Sequence, residues 1–127
     1  MTDSMRCRGM RDLLPEDMAT FPIIEETFRL VCRGWGYEEI RTPTVEQLHL
    51  FTSAGTLSPQ MLGRVYSFLD WDGWSGERVV LRPDSTIPVA RAYAESAKPN
   101  EVWKRYYVQN VLRFAEGDES REDWQCG

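Results

Sequence analysis

Asp84, Ser85 and Thr86 follow the apolar run Val79, Val80, Leu81 and the pair Arg82-Pro83, and their side chains suit either helix capping or recognition of a cation. Residues 79–81 read as a buried strand, because β-branched side chains fit a pleated surface and Pro83 has no N–H with which to extend a ladder. Past the proline, Ile87, Ala90, Ala94 and Ala97 recur at helical spacing over 85–97. Asp84 has the chemistry of an N-cap, so the polar triplet falls at a corner where a strand turns into a helix. Spacing alone leaves two roles open for Asp84: a cap only, or a cap that also contacts a ligand.

Few other residue types invite chemistry. Cys7, Cys32 and Cys126 are odd in number and form no CxxC pair, so three reduced thiols are expected, with neither a disulfide framework nor a zinc site. His49 is the single histidine, placed in the run 48–51, and is expected as a partly buried helix residue. No metal and no cofactor is expected. The net charge is −5, and Lys98 and Lys104 are the only lysines among 15 basic residues, which disfavours a general nucleic-acid platform.

The elements that must position the corner can be read in order. The chain has 127 residues, 42% of them apolar, which fits one domain over 1–127. Pro15 suits a first helical position, and Phe21, Ile24, Phe28, Val31 and Trp35 form one stripe, with Glu25, Glu26 and Arg29 toward water. Pro22 predicts a bend or a start delayed to about Phe21. Gly34-Trp35-Gly36 should end that helix. A short strand is expected over 37–41, a short helix over 45–51 with Val45, Leu48 and Phe51 inward, and a mobile loop over 52–63. Residues 65–70 and 78–82 read as a hairpin, with turn chemistry at Asp72-Gly73 and Ser75-Gly76. Residues 102–114 read as a long strand with a core centre, 116–120 as an acidic turn, and 121–126 as a returning strand. Core packing is the simplest role for Trp124.

No run approaches the roughly 18 to 20 apolar residues that span a bilayer, and the N-terminus lacks the apolar centre of a signal peptide. A cytoplasmic protein away from membranes is expected.

Four stretches carry a family resemblance: Gly9-Met10-Arg11-Asp12-Leu13-Leu14-Pro15; Trp35-Gly36-Tyr37-Glu38-Glu39-Ile40-Arg41-Thr42-Pro43; Leu81-Arg82-Pro83-Asp84-Ser85-Thr86; and Val111-Leu112-Arg113-Phe114 with Arg121-Glu122-Asp123-Trp124-Gln125. In order and spacing the chain resembles the histidyl-tRNA synthetase family over nearly its whole length. The resemblance implies an α+β fold of the class II synthetase kind, an antiparallel sheet flanked by helices. It also implies a homodimer with Pro43 near the interface. Asp84, Thr86 and Gln125 would be the amino-acid-binding residues, the first two converging on the ammonium group of free histidine through charge-assisted hydrogen bonds. Arg113 and Arg121 would be weak phosphate contacts; read as residues alone, they are a solvated pair at two strand ends.

The details look like the family's non-catalytic branch, the regulatory subunit of ATP phosphoribosyltransferase in histidine biosynthesis, whose partner would be the catalytic subunit. The alternative is histidine-tRNA ligase. Ligases carry Glu where Asp84 stands, a Glu two positions after the first arginine where Ala115 stands, and an adenine-stacking Phe where Asp123 stands. Thr86 to Arg91 followed by Ala92 also resembles the regulatory pattern. A carboxylate beside a nucleotide phosphate would repel it, and the acidic turn suits neither a triphosphate nor a tRNA end. Both branches continue past the position of Gly127, so the sheet is expected to be incomplete at the C-terminus, in a fragment or a pared-down relative.

Overall fold

The computed structural model of the chain describes residues 4–55, 57–71, 76–117 and 119–127. The elements are helix α1 Pro15–Gly34, strands β1 Glu38–Glu39 and β2 Val45–Gln47, helices α2 Leu48–Ser53 and α3 Pro59–Leu62, strands β3 Ser67–Trp71 and β4 Gly76–Leu81, helix α4 Thr86–Ser96, and strands β5 Arg105–Tyr106, β6 Val108–Leu112 and β7 Glu122–Cys126. Strands β2, β4 and β3 form one antiparallel sheet in that order, β6 pairs antiparallel with β7, and β1 pairs parallel with β5. Among the described residues, no helix is long and apolar enough to cross a membrane.

Pro15 opens α1 where a missing N–H costs nothing, and the Asp17 carboxylate accepts the Leu14 N–H at 3.0 Å. The helix runs through Pro22, so the delayed start near Phe21 does not occur. Its end is a Schellman motif: the Gly36 N–H donates to Arg33 O at 3.0 Å and the Tyr37 N–H to Cys32 O at 2.9 Å. Gly36 takes the left-handed conformation this requires, with φ 81°.

The stripe on α1 is only partly engaged. Phe21 meets Trp124 edge-on at 5.4 Å between centroids, and Phe28 meets Tyr106 at 6.0 Å, whereas Ile24, Val31 and Trp35 remain exposed. The contact face instead passes through Phe21, Glu25, Phe28 and Cys32, which draws Glu25 and Arg29 out of water, to side-chain exposures of 20% and 18%. Arg29 Nε donates to Glu39 Oε1 at 2.9 Å, and the Tyr106 hydroxyl donates to the same oxygen at 3.2 Å. Burial works against charge on Glu39, but the hydrogen bond and charge of Arg29 outweigh it and hold the carboxyl below its ordinary value.

Strand pairing explains most departures from the sequence reading. The strand expected over 37–41 contracts to β1. Residues 45–51 are not one helix: Val45 to Gln47 pair with Leu81 to Val79 as a strand, which turns Glu46 inward and leaves Val45 exposed. In α2, Phe51 is fully buried but His49 is exposed, so the partly buried histidine is not found. The loop expected over 52–63 contains α3, capped by Ser58 Oγ, which accepts the Met61 N–H at 3.2 Å. The long strand over 102–114 breaks at Tyr107, because the chain there changes partner from β1 to β7. The hairpin forms in the register Phe68 opposite Val79, and the turn positions 72–75 lie outside the described residues. In α4 the buried residue is Pro88, while Ala90 and Ala94 are exposed. Pro88 stands in the first turn, where its missing N–H would have no helical partner.

Candidate functional site

The corner between β4 and α4 brings three of the sequence-predicted residues together. Ser85, not Asp84, takes the N-cap position of α4, and Asp84 caps from one residue earlier, its Oδ2 accepting the Ile87 N–H at 3.0 Å. Its other oxygen, Oδ1, accepts from Gln125 Nε2 at 3.0 Å, and Gln125 Oε1 accepts the Ser85 N–H at 2.9 Å. Thr86 Oγ1 lies 3.0 Å from the Tyr107 hydroxyl. An ionised carboxylate offers about four lone-pair positions, so the two bonds to Asp84 leave room for a further donor. Asp84 is half-buried, and with Thr86, Ile87, Phe51, Met61 and Arg113 it lines a cavity of about 280 Å³. That is near the lower end of small-ligand sites, a size suited to an amino acid.

A buried polar frame stands behind the corner. Gln109 faces Gln125 across the β6–β7 ladder and donates from Nε2 to Ser85 Oγ and Thr42 Oγ1, each at 2.8 Å. Arg82 donates from Nε to Asn110 O at 2.7 Å, from Nη1 to Thr42 O at 3.1 Å, and from Nη2 to Asn110 Oδ1. Burial lowers the Arg82 pKa and the charge of Glu46 offsets part of that, so the cation is held chiefly by neutral oxygens. Asn110 in turn donates to Glu122 Oε2 at 2.7 Å. Among the described residues, no cluster of three or more His, Cys, Asp or Glu side chains is placed to hold a metal.

The two predicted phosphate contacts separate. Arg113 lines the cavity and donates from Nε to Pro83 O at 2.9 Å. Arg121 instead donates to Ala115 O at 2.8 Å and stacks its guanidinium 4.3 Å from the Phe114 ring centroid. Its backbone N–H bonds to Gly9 O at 2.9 Å, and Gly9, at φ 80°, packs so close that an added Cβ would collide with Arg121 Cγ. The first and last motifs therefore touch. Arg121 is half-buried and stacked, whereas Arg113 stays exposed. Pro43 is exposed on the segment that follows buried Thr42. Trp124 is 42% exposed, packed on Phe21 and not enclosed in the core. A second cavity, of about 520 Å³, lies between α1 and β7 beside Trp124, away from the polar corner.

Sequence reasoning passed over Ser85 as a structural element, and over Gln109, Tyr107 and Arg82. The available signal was a polar Gln109-Asn110 pair inside a β-branched and aromatic run, since a buried amide must find partners.

A family model described as histidyl-tRNA synthetase matches residues 9–127. An ATP phosphoribosyltransferase regulatory subunit of Dehalococcoides mccartyi is 63% identical over 123 residues, covering 96% of this chain and 30% of the relative. A histidine–tRNA ligase of Methanosarcina acetivorans is 39% identical over 125 residues, covering 96% of this chain and 29% of the relative. A Bacillus halodurans structure described as an ATP phosphoribosyltransferase regulatory subunit/histidyl-tRNA synthetase matches with TM-score 0.81 and 32% identity, over 98% of this chain and 32% of that one. The chain thus spans about 30% of the length of the curated relatives it matches.

Proposed function

Because the chain belongs to the histidyl-tRNA synthetase family, we propose that it serves as the histidine-binding core of a regulatory subunit of ATP phosphoribosyltransferase, a non-catalytic protein of histidine biosynthesis. The observation that carries this reading is that Asp84, held from behind by Gln125, lines one cavity together with Thr86. A carboxylate and a hydroxyl there suit an ammonium group, through hydrogen bonds strengthened by charge. Arg113 at the same cavity offers a cation for a carboxylate or phosphate.

Activation of the amino acid is a separate matter. Asp123 offers no ring to stack on adenine, and Ala115 is a buried residue with no side-chain oxygen. Identity to the regulatory subunit exceeds that to the ligase, 63% against 39%. The partners in this reading are a catalytic phosphoribosyltransferase subunit and a second copy of the chain, with the exposed segment at Pro43 near the interface, in the cytoplasm. A ligase is the second reading, favoured by the retained Arg113 and Gln125. Histidine-dependent exchange of pyrophosphate into ATP separates the two. The regulatory reading expects none, and exchange above the histidine-free background would replace it with the ligase.

A further inference from the structure

Ser85 is fully buried between the two site residues Asp84 and Thr86, and it is held from two sides. Gln125 takes its N–H at 2.9 Å, and Gln109 donates to its hydroxyl at 2.8 Å. The two glutamines are register partners on β6 and β7. The orientation of the Gln109 amide follows from the Thr42 backbone: that N–H can only donate, so it takes Oε1, at 3.3 Å, and turns Nε2 toward both hydroxyls. Gln109 is 5% exposed and has every side-chain polar atom engaged. An apolar residue would fill that place without needing partners. What the amide adds is a fixed geometry, which satisfied buried networks supply.

We infer that Gln109 is a positioning residue for the amino-acid corner, setting the first turn of α4 through Ser85 so that Asp84 and Thr86 face the ligand together. This rests on the reading of the corner as a histidine site. It extends that reading to a residue that touches no ligand, and ties the corner to Thr42, next to Pro43.

The test is calorimetric titration of histidine into the intact protein, with the melting temperature read in parallel. Gln109→Leu should raise the Kd roughly tenfold and lower the melting temperature, since it strands two buried hydroxyls and the Thr42 N–H. The triple variant Gln109→Leu, Ser85→Ala, Thr42→Val removes those hydroxyls. The Thr42 N–H stays unpaired, so the variant's melting temperature should return part of the way to wild type, while the Kd stays roughly tenfold raised. If the single variant does not fold, the triple variant decides alone. A Kd that recovers together with the melting temperature would make Gln109 a stabilising residue only and overturn the inference, as would an unchanged Kd in Gln109→Leu. Wild-type protein that takes up no histidine would overturn the site reading itself. Binding that Asp84→Asn weakens but the Gln109 variants do not would overturn only the positioning role.

Discussion

Asp84 divides its carboxylate, one oxygen for the helix and one for Gln125, and this division shows what a sequence can and cannot display about a site. The cap was legible, because it needs only a strand-ending proline before and a helical pattern after. Gln125 is 41 positions away, and only the family resemblance linked it to the corner. Gln109 and Arg82 were not legible as a frame, since their partners lie 67 and 28 positions distant. A buried polar residue acquires its meaning from partners that local pattern does not reach. Arg82 gives a direct check. Arg82→Met leaves the Thr42 and Asn110 oxygens without their charged donor, and bonds to charged groups are worth about 1.5 to 3 kcal/mol. Chemical denaturation should show a loss of about 3 kcal/mol, and a loss near zero would mean that the guanidinium contributes no net stability.

Elements were legible where one rule acted alone. The start of α1 at Pro15, its glycine end, the β3–β4 hairpin and the β6–β7 pair all follow from local chemistry. The misreadings fall where tertiary pairing overrides a short pattern, as at Val45 to Gln47, where pairing with β4 imposes a strand on residues spaced like a helix. The same holds for Glu25 and Arg29, which look solvated on a helical wheel but pair with each other, Arg29 reaching on to Glu39 in β1. This cluster has a pH signature. The Glu39 carboxyl is depressed in the folded state, so its contribution is present above its ordinary value of 4.5 and is lost as pH falls through the lower folded value. Glu39→Gln removes that linkage. Urea midpoints measured at about pH 7 and about pH 3 should fall less in the variant than in wild type, and equal falls would exclude Glu39 as a contributor to acid lability.

At the scale of the whole molecule, a family fold over about 30% of its relatives' length still gathers the corner, the frame and the Pro43 segment into one piece. The proposed homodimer is checked by light scattering at micromolar concentration, where the mass of a dimer is expected and a clean monomer would remove Pro43 from any interface. The proposal as a whole depends on one thing, that the corner binds free histidine through Asp84. Calorimetric titration of histidine into wild type and Asp84→Asn measures this directly. Asn still caps the Ile87 N–H but has one acceptor oxygen where the carboxylate has two, so the Gln125 bond is lost and the melting temperature should fall modestly, while the charge is lost from the bond to the ammonium group. The predicted result is saturable binding by wild type and a roughly tenfold weaker Kd in an Asp84→Asn protein that remains folded. Equal affinities in the two proteins, or no binding in wild type, would contradict it and leave Asp84 as a helix cap.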